Sequence, residues 1–316
     1  MKKKFENRQQ NKFQPYIFYV IFLVVLGSTA TAFYFLGSSK SADADPLKFS
    51  LLNPARAFIS QKDLIVNFQP LRDYLNDKYE SDQSVSIYFE YLPTGSNIAI
   101  SKDAEFYPAS LLKVPVAMAA AKKIDKGDWE WSSKLVLMSG DKDDKFGSLY
   151  KEQTGSLYTI EDLVKRSMVD SDNTAHFMLL RNLELSEIND VYAHMGLDGF
   201  LETNGNISAK RYAVVLRALY NSSYLSEGSS QKIILFLSEE PFRDYLGSGL
   251  PDDAIFAHKI GVDIDRKIYL DSGIIYYRNR PYSLTVMTKT KTEQQAKAIM
   301  KDVSEKVFNY VKNYNE

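Results

Sequence analysis

Phe106-Tyr107-Pro108-Ala109-Ser110-Leu111-Leu112-Lys113 is a turn that feeds an apolar helical run reaching Ala121. Ser110 and Lys113 stand one helical turn apart, so their side chains share a face. A serine hydroxyl is a weak nucleophile near neutral pH and needs a base beside it. A lysine in that position can supply one if it is partly neutral, and the positive end of the helix dipole favours the anion that forms. Two further elements follow in order, Ser171-Asp172-Asn173 and Lys259-Ile260-Gly261. S-x-x-K, S-D-N and K-x-G in that sequence describe a serine acyl-transfer site that works without histidine.

The first motif alone carries little weight. Ser148-Leu149-Tyr150-Lys151 and Ser229-Ser230-Gln231-Lys232 repeat it, and Lys145-Phe146-Gly147 repeats the third. The copies at Ser148 and Ser229 read as accidents in polar loops or helix starts. Only Ser110 combines the motif order with a turn that opens an apolar helix. The stretch from about Leu64 to Asn313 resembles a class A β-lactamase or, more broadly, a penicillin-recognising serine enzyme. The resemblance rests on Phe106 to Lys113, Tyr158-Thr159-Ile160-Glu161-Asp162-Leu163, Ser171-Asp172-Asn173-Thr174-Ala175, His258-Lys259-Ile260-Gly261 and Asp271-Ser272-Gly273-Ile274-Ile275-Tyr276.

The chain has 316 residues, 45% of them hydrophobic, enough for a sizeable core. Its net charge of −1 gives no reason to expect a nucleic-acid partner. Without cysteine it has no disulfide, no thiol chemistry and no lipid anchor through an N-terminal cysteine. His176, His194 and His258 lack metal-ligand spacing, so neither metal nor other cofactor is expected. No G-x-S-x-G elbow is present for a histidine-based triad.

Lys2, Lys3, Lys4, Arg8 and Lys12 precede an uncharged apolar run from Tyr16 to Gly37, long enough to span a bilayer. Residues 1–15 then form a basic cytoplasmic tail by the positive-inside rule, 16–37 a signal anchor and 38–60 a small polar tether. Residues 61–316 form the hydrolase domain, outside the cytoplasm, with a helical lobe at about 110–250. Ala30-Thr31-Ala32 resembles a signal-peptidase site, so a form cleaved after Ala32 and secreted is the rival. Against it, Phe33-Tyr34-Phe35-Leu36 carries the apolar run past that site.

Periodicity predicts a helix from Leu64 to Tyr79, a hairpin from Val85 to Ile100, and helices from Ser110 to about Leu250. Strands follow at Ile255 to Ile260, Ile268 to Tyr277 and Tyr282 to Thr288, then an amphipathic helix from Glu293 to Tyr310. This is an α/β chain: a five-stranded antiparallel sheet flanked by N- and C-terminal helices plus an all-helical lobe, the β-lactamase/transpeptidase-like fold. It is expected to act as a monomer.

The resemblance implies the roles. Ser110 attacks a carbonyl, Lys113 is its base, Ser171 relays a proton to the leaving nitrogen, and Lys259 supplies a nearby cation that depresses the Lys113 pKa. Asn173 bonds the substrate's amide side chain, Gly261 makes room on its strand, and the N–H groups of Ser110 and Val262 form the oxyanion hole. Two departures stand out. No E-x-x-L-N pattern supplies a glutamate for the deacylating water; Glu202, in Phe200-Leu201-Glu202-Thr203-Asn204, is a weak candidate. Ile260 stands where the family has a threonine that helps bind a substrate carboxylate, and Ser272 falls about where an assisting arginine is usual. Three functions are therefore carried forward: β-lactam opening with slow deacylation, a cell-wall D-alanyl peptidase or esterase, and a non-catalytic binding domain.

Overall fold

Pro70 decides where the first helix begins. The computed structural model describes residues 49–53, 64–200 and 205–314; the run from Tyr16 to Gly37, most of the expected tether and Glu202 lie outside them. Residues 49–53 of that tether pack on the domain instead: Leu51 and Leu52 are buried in its core, and Leu51 N donates to Gln231 Oε1 at 3.1 Å. Helix α1 spans Gln69–Tyr79 with the proline in its first turn. The expected start at Leu64 is too early, because a proline in a helix interior clashes with the carbonyl four residues back.

Strands β1 (Val85–Tyr91) and β2 (Ser96–Ile100) form the first hairpin. Strands β5 (Ile255–Asp263), β6 (Ile268–Tyr276) and β7 (Tyr282–Lys289) complete an antiparallel five-stranded sheet of order β2-β1-β7-β6-β5. β1 is buried at every position, because helices cover both faces of the sheet. On one side it packs against α1 and α8 (Glu293–Asn313), whose stripe of Ala296, Met300, Val303, Val307 and Val311 is fully buried with Leu71, Phe89 and Val286. Each fully buried Val, Leu, Met or Phe side chain among them contributes about 1.5–3 kcal/mol.

The other face carries Tyr88, Leu270 and Met287 into a second core with the helical part of the chain. A 3-10 turn, Ala109–Leu112, leads into α2, Lys113–Lys126. Around it lie α3 (Ile160–Val169), α4 (Asn173–Arg181), α5 (Leu185–His194), α6 (Ala209–Tyr220) and α7 (Glu227–Ser238). Ala117, Ala119, Ala120 and Ala121 leave α2 slim enough to be surrounded, and all four are buried. A small hairpin of β3 (Lys134–Val136) and β4 (Leu157–Thr159) was not anticipated. Three-residue strands are too short to show a period. Among the described residues no helix is long and apolar enough to cross a membrane.

β5 is an edge strand, and its open edge lies beside the turn that carries Ser110. Gly261 makes this possible. A Cβ there would stand 2.8 Å from the Pro108 carbonyl oxygen and 3.2 Å from Leu111 Cγ. The glycine was expected to admit a substrate backbone; the backbone it admits is the chain's own turn.

Candidate active site

Ser110 occupies the second position of the 3-10 turn, and no side-chain cap uses its hydroxyl. Ala109, just before it, has φ 46°, a left-handed conformation that costs an alanine about 1–3 kcal/mol. Lys113 opens α2 with 3% of its surface exposed. Its Nζ lies 3.2 Å from Ser110 Oγ, 3.0 Å from Ser171 Oγ and 2.6 Å from Asn173 Oδ1, and it also donates to the Ser171 carbonyl. Ser171 adopts φ 53°, and this bend turns both its carbonyl and its hydroxyl toward the lysine.

These contacts fix the lysine's proton inventory. The Ser171 carbonyl and Asn173 Oδ1 can only accept, so they take two N–H groups. The remaining direction of Nζ faces two hydroxyls, which can donate or accept. A neutral amine thus points its lone pair at the Ser110 proton. Burial lowers the Lys113 pKa to about 7, with the charge of Lys259 adding to the fall and Asp172, Glu240 and Asp143 opposing it. The expected influence of Lys259 is present but second to desolvation.

Asp172 holds the middle motif in place. One carboxylate oxygen accepts from Ala175 N at 2.9 Å and caps α4; the other accepts from Ser148 N and Leu149 N, both at 2.8 Å. The Gly147 Cα packs directly on this carboxylate, where a Cβ would lie 2.1 Å from Oδ2, and its φ of 86° also favours glycine. Lys145-Phe146-Gly147, the second copy of the third motif, is therefore the turn that buttresses Ser171-Asp172-Asn173. Asn173 Nδ2 donates to Asp143 Oδ1 at 2.7 Å, which orients the amide with its oxygen toward Lys113. Asp143 was missed in the sequence, where nothing distinguishes it from Asp141 and Asp144.

Lys259 and Gly261 share the face of β5 that carries Ser272 and Thr285 on the neighbouring strands. Ile260 points the opposite way. It is 5% exposed and packs in the apolar core with Tyr245, Phe256 and Tyr269. The expectation that this position offers its side chain to substrate is corrected: Ile260 is a core residue. Its N–H, however, points out of the open edge, donating to Glu240 Oε2 at 3.2 Å. Antiparallel pairing alternates inward and outward groups, so the Val262 N–H faces the same edge. That is the side on which Ser110 lies, as an oxyanion hole of the Ser110 and Val262 N–H groups requires.

Glu240 is the residue that sequence reasoning did not reach. It follows α7, and its buried carboxylate pairs with Lys259 Nζ and lies 3.3 Å from His258 Nδ1. Asp271 Oδ1 takes the same histidine nitrogen at 3.0 Å. Burial raises the Glu240 carboxyl above its usual range while Lys259 and His258 pull it back. Burial alone would lower the His258 imidazole, but Asp271 and Glu240 raise it above the ordinary histidine range. His176, on α4, is held neutral down to about pH 3 by burial and by the Lys113 charge. Among the described residues no group of acidic or histidine side chains is set to hold a metal ion. A separate cavity of about 440 Å³, lined by Lys102, Glu105, Leu197, Lys210 and Arg211, contains none of the motif residues.

The family model described as the beta-lactamase enzyme family matches residues 69–311. The chain belongs to this family. It is a β-lactamase-like serine hydrolase. Beta-lactamase VEB-1 of Pseudomonas aeruginosa is 24% identical over 251 residues, covering 68% of this chain and 81% of that protein. Among solved structures, PBP-A superposes with a TM-score of 0.69 at 21% identity, covering 77% of this chain and 96% of its own. A β-lactamase from Sphaerobacter thermophilus gives 0.69 at 20% identity, covering 79% and 100%. A PBP-A variant of equal similarity was solved as its acyl-enzyme complex with penicillin G. These likenesses establish the class A β-lactamase-like fold for this member of the family.

Proposed function

We propose that this β-lactamase-family hydrolase opens β-lactam rings through an acyl-enzyme on Ser110 and releases the product slowly. The observation that carries the reading is the single lysine nitrogen set between Ser110 Oγ, Ser171 Oγ and Asn173 Oδ1. In the step it supports, Ser110 Oγ bonds to the ring carbonyl carbon as Lys113 takes the hydroxyl proton. The ring C–N bond then breaks, and a proton passes from Lys113 through Ser171 to the departing nitrogen. The N–H groups of Ser110 and Val262 stabilise the oxyanion between these events, at about 3 kcal/mol per donor. Incubation of the full chain with penicillin G is expected to add one intact penicillin mass to the peptide bearing Ser110, and none in Ser110→Ala. Absence of the adduct with both penicillin G and its methyl ester at millimolar concentration would defeat the reading.

A second reading, a D-alanyl peptidase or esterase, shares this acylation apparatus. It is favoured by the lack of an E-x-x-L-N segment, since enzymes that keep their acyl group for transfer have no use for fast hydrolysis. An adduct with a D-alanyl-D-alanine peptide but not with penicillin G would select it.

We further propose that residues 16–37 anchor the chain in the cell membrane with the hydrolase domain outside the cytoplasm. The basic residues before this uncharged run support that orientation. Deleting 1–37 is expected to move the protein from the membrane fraction to the soluble one. Recovery of the natively expressed protein wholly in the medium, with its N-terminus near Phe33, would reject the anchor in favour of cleavage.

A further inference from the structure

The open edge of β5 carries the donors best suited to an anion beside Ser110: the Lys259 ammonium and the outward N–H of Ile260. Both are already taken. Glu240 Oε1 accepts from Lys259 Nζ and Oε2 from Ile260 N at 3.2 Å, while His258 Nδ1 stands 3.3 Å from Oε2. Neither the Glu240 nor the Lys259 side chain has measurable solvent exposure. Nor is the glutamate loosely placed. His258 is stacked on Phe256 at 3.9 Å between ring centres and tied to Asp271, which also accepts from Leu246 N at 3.0 Å. Swinging Glu240 away would leave a buried carboxylate and a buried lysine without partners, which is among the costliest changes a protein interior can undergo.

We infer that Glu240 is a specificity-determining residue: its carboxylate occupies the anion-binding donors of the β5 edge, so the site takes acyl donors without a carboxylate beside the scissile bond in preference to those that carry one. The inference rests on the acyl-enzyme reading above and narrows its substrate class. A penicillin carboxylate entering this edge meets a resident negative charge where a cation would otherwise receive it. An uncharged ester or amide loses nothing to this pairing, and the influence of the Glu240 charge on Lys113 is the same for either substrate, so it cancels from their ratio. Arg266, in the β5–β6 turn, is itself engaged: Asp263 pairs with it at 2.7 Å and its guanidinium lies over the Tyr107 ring.

The test compares Ser110 acylation of the full chain by penicillin G and by its methyl ester, followed by mass spectrometry. The wild-type chain is expected to acylate faster with the ester. In Glu240→Gln, which keeps the shape and removes the charge, the ratio is expected to move toward the free acid by about ten- to a hundredfold, the value of one hydrogen bond to a charged group. A purely structural glutamate would alter both rates together and leave their ratio fixed. If Glu240→Gln does not fold, the wild-type ratio decides alone: faster acylation by the free acid overturns the role of Glu240 while leaving the acyl-enzyme intact. An unmoved ratio in a folded variant overturns it as well. No adduct with either compound removes both this inference and the reading beneath it.

Discussion

Lys113→Ala is expected to slow acylation of Ser110 by penicillin G by about 10²–10⁴, the usual consequence of losing a general base. The lysine is the group whose nitrogen touches both serine hydroxyls, and its other two hydrogen-bond directions are fixed by the Ser171 carbonyl and Asn173 Oδ1. The pH dependence separates catalysis from packing. The Lys113 pKa is lowered to about 7 by burial and by Lys259, so the amine is protonated and idle well below that pH and free above it. Acylation by the wild-type chain should therefore rise as pH increases through about 7 and level off above it. Lys113→Ala should show a low, flat profile across the same range. Equal rates in the two proteins, or a wild-type profile with no inflection near 7, would remove Lys113 from the role.

The second large effect concerns the other half of the reaction. With penicillin G, the chain is expected to show a burst equal to the enzyme present, then turnover slower than acylation by about 10²–10⁴, because no E-x-x-L-N segment supplies a glutamate as base for deacylation. The three carboxylates whose charge raises the Lys113 pKa are all engaged. Asp172 accepts three backbone N–H groups, Asp143 accepts from the Asn173 amide and from Lys145 N, and Glu240 is paired with Lys259. Asp172 and Glu240 cannot orient a water without giving up a structural bond, and Asp143 is held through Oδ1 by the Asn173 amide and Lys145 N. Rapid steady-state hydrolysis with no adduct in the mass spectrum would contradict this. It would direct attention to Glu202, outside the described residues, and Glu202→Gln would then decide between that carboxylate and Lys113.

Much of the site could be read from the chain because the catalytic motif is local. Ser110 and Lys113 lie one helical turn apart, so their encounter needs only a helix start, and Pro108 with the apolar run supplies one. The order of the three motifs pointed to the family, and residues 69–311 match its model. The sheet was legible because β-branched and aromatic runs were separated by turn residues, and the stripe from Ala296 to Val311 announced a helix with one buried face. Where the reading slipped, a local rule had been outweighed or overlooked: Pro70 delays α1, and three-residue strands carry no period.

The sequence alone determined which serine and lysine to propose as nucleophile and base, the fold class and the absence of thiol and disulfide chemistry, since these depend on residue types and short spacings. Only the tertiary structure decided how the site is held and what charge it presents. Ile260 faces the core because the alternation of β5 is set by which neighbour covers each face of the sheet. Gly147 supports Asp172 because a loop far from the motif in sequence folds onto it. Glu240 reaches Lys259 across 19 residues because α7 ends at the open edge of β5, and no spacing rule relates a helix end to an edge strand. Charge pairing in a buried site depends on which groups lose water together, and that is settled by packing rather than by order along the chain.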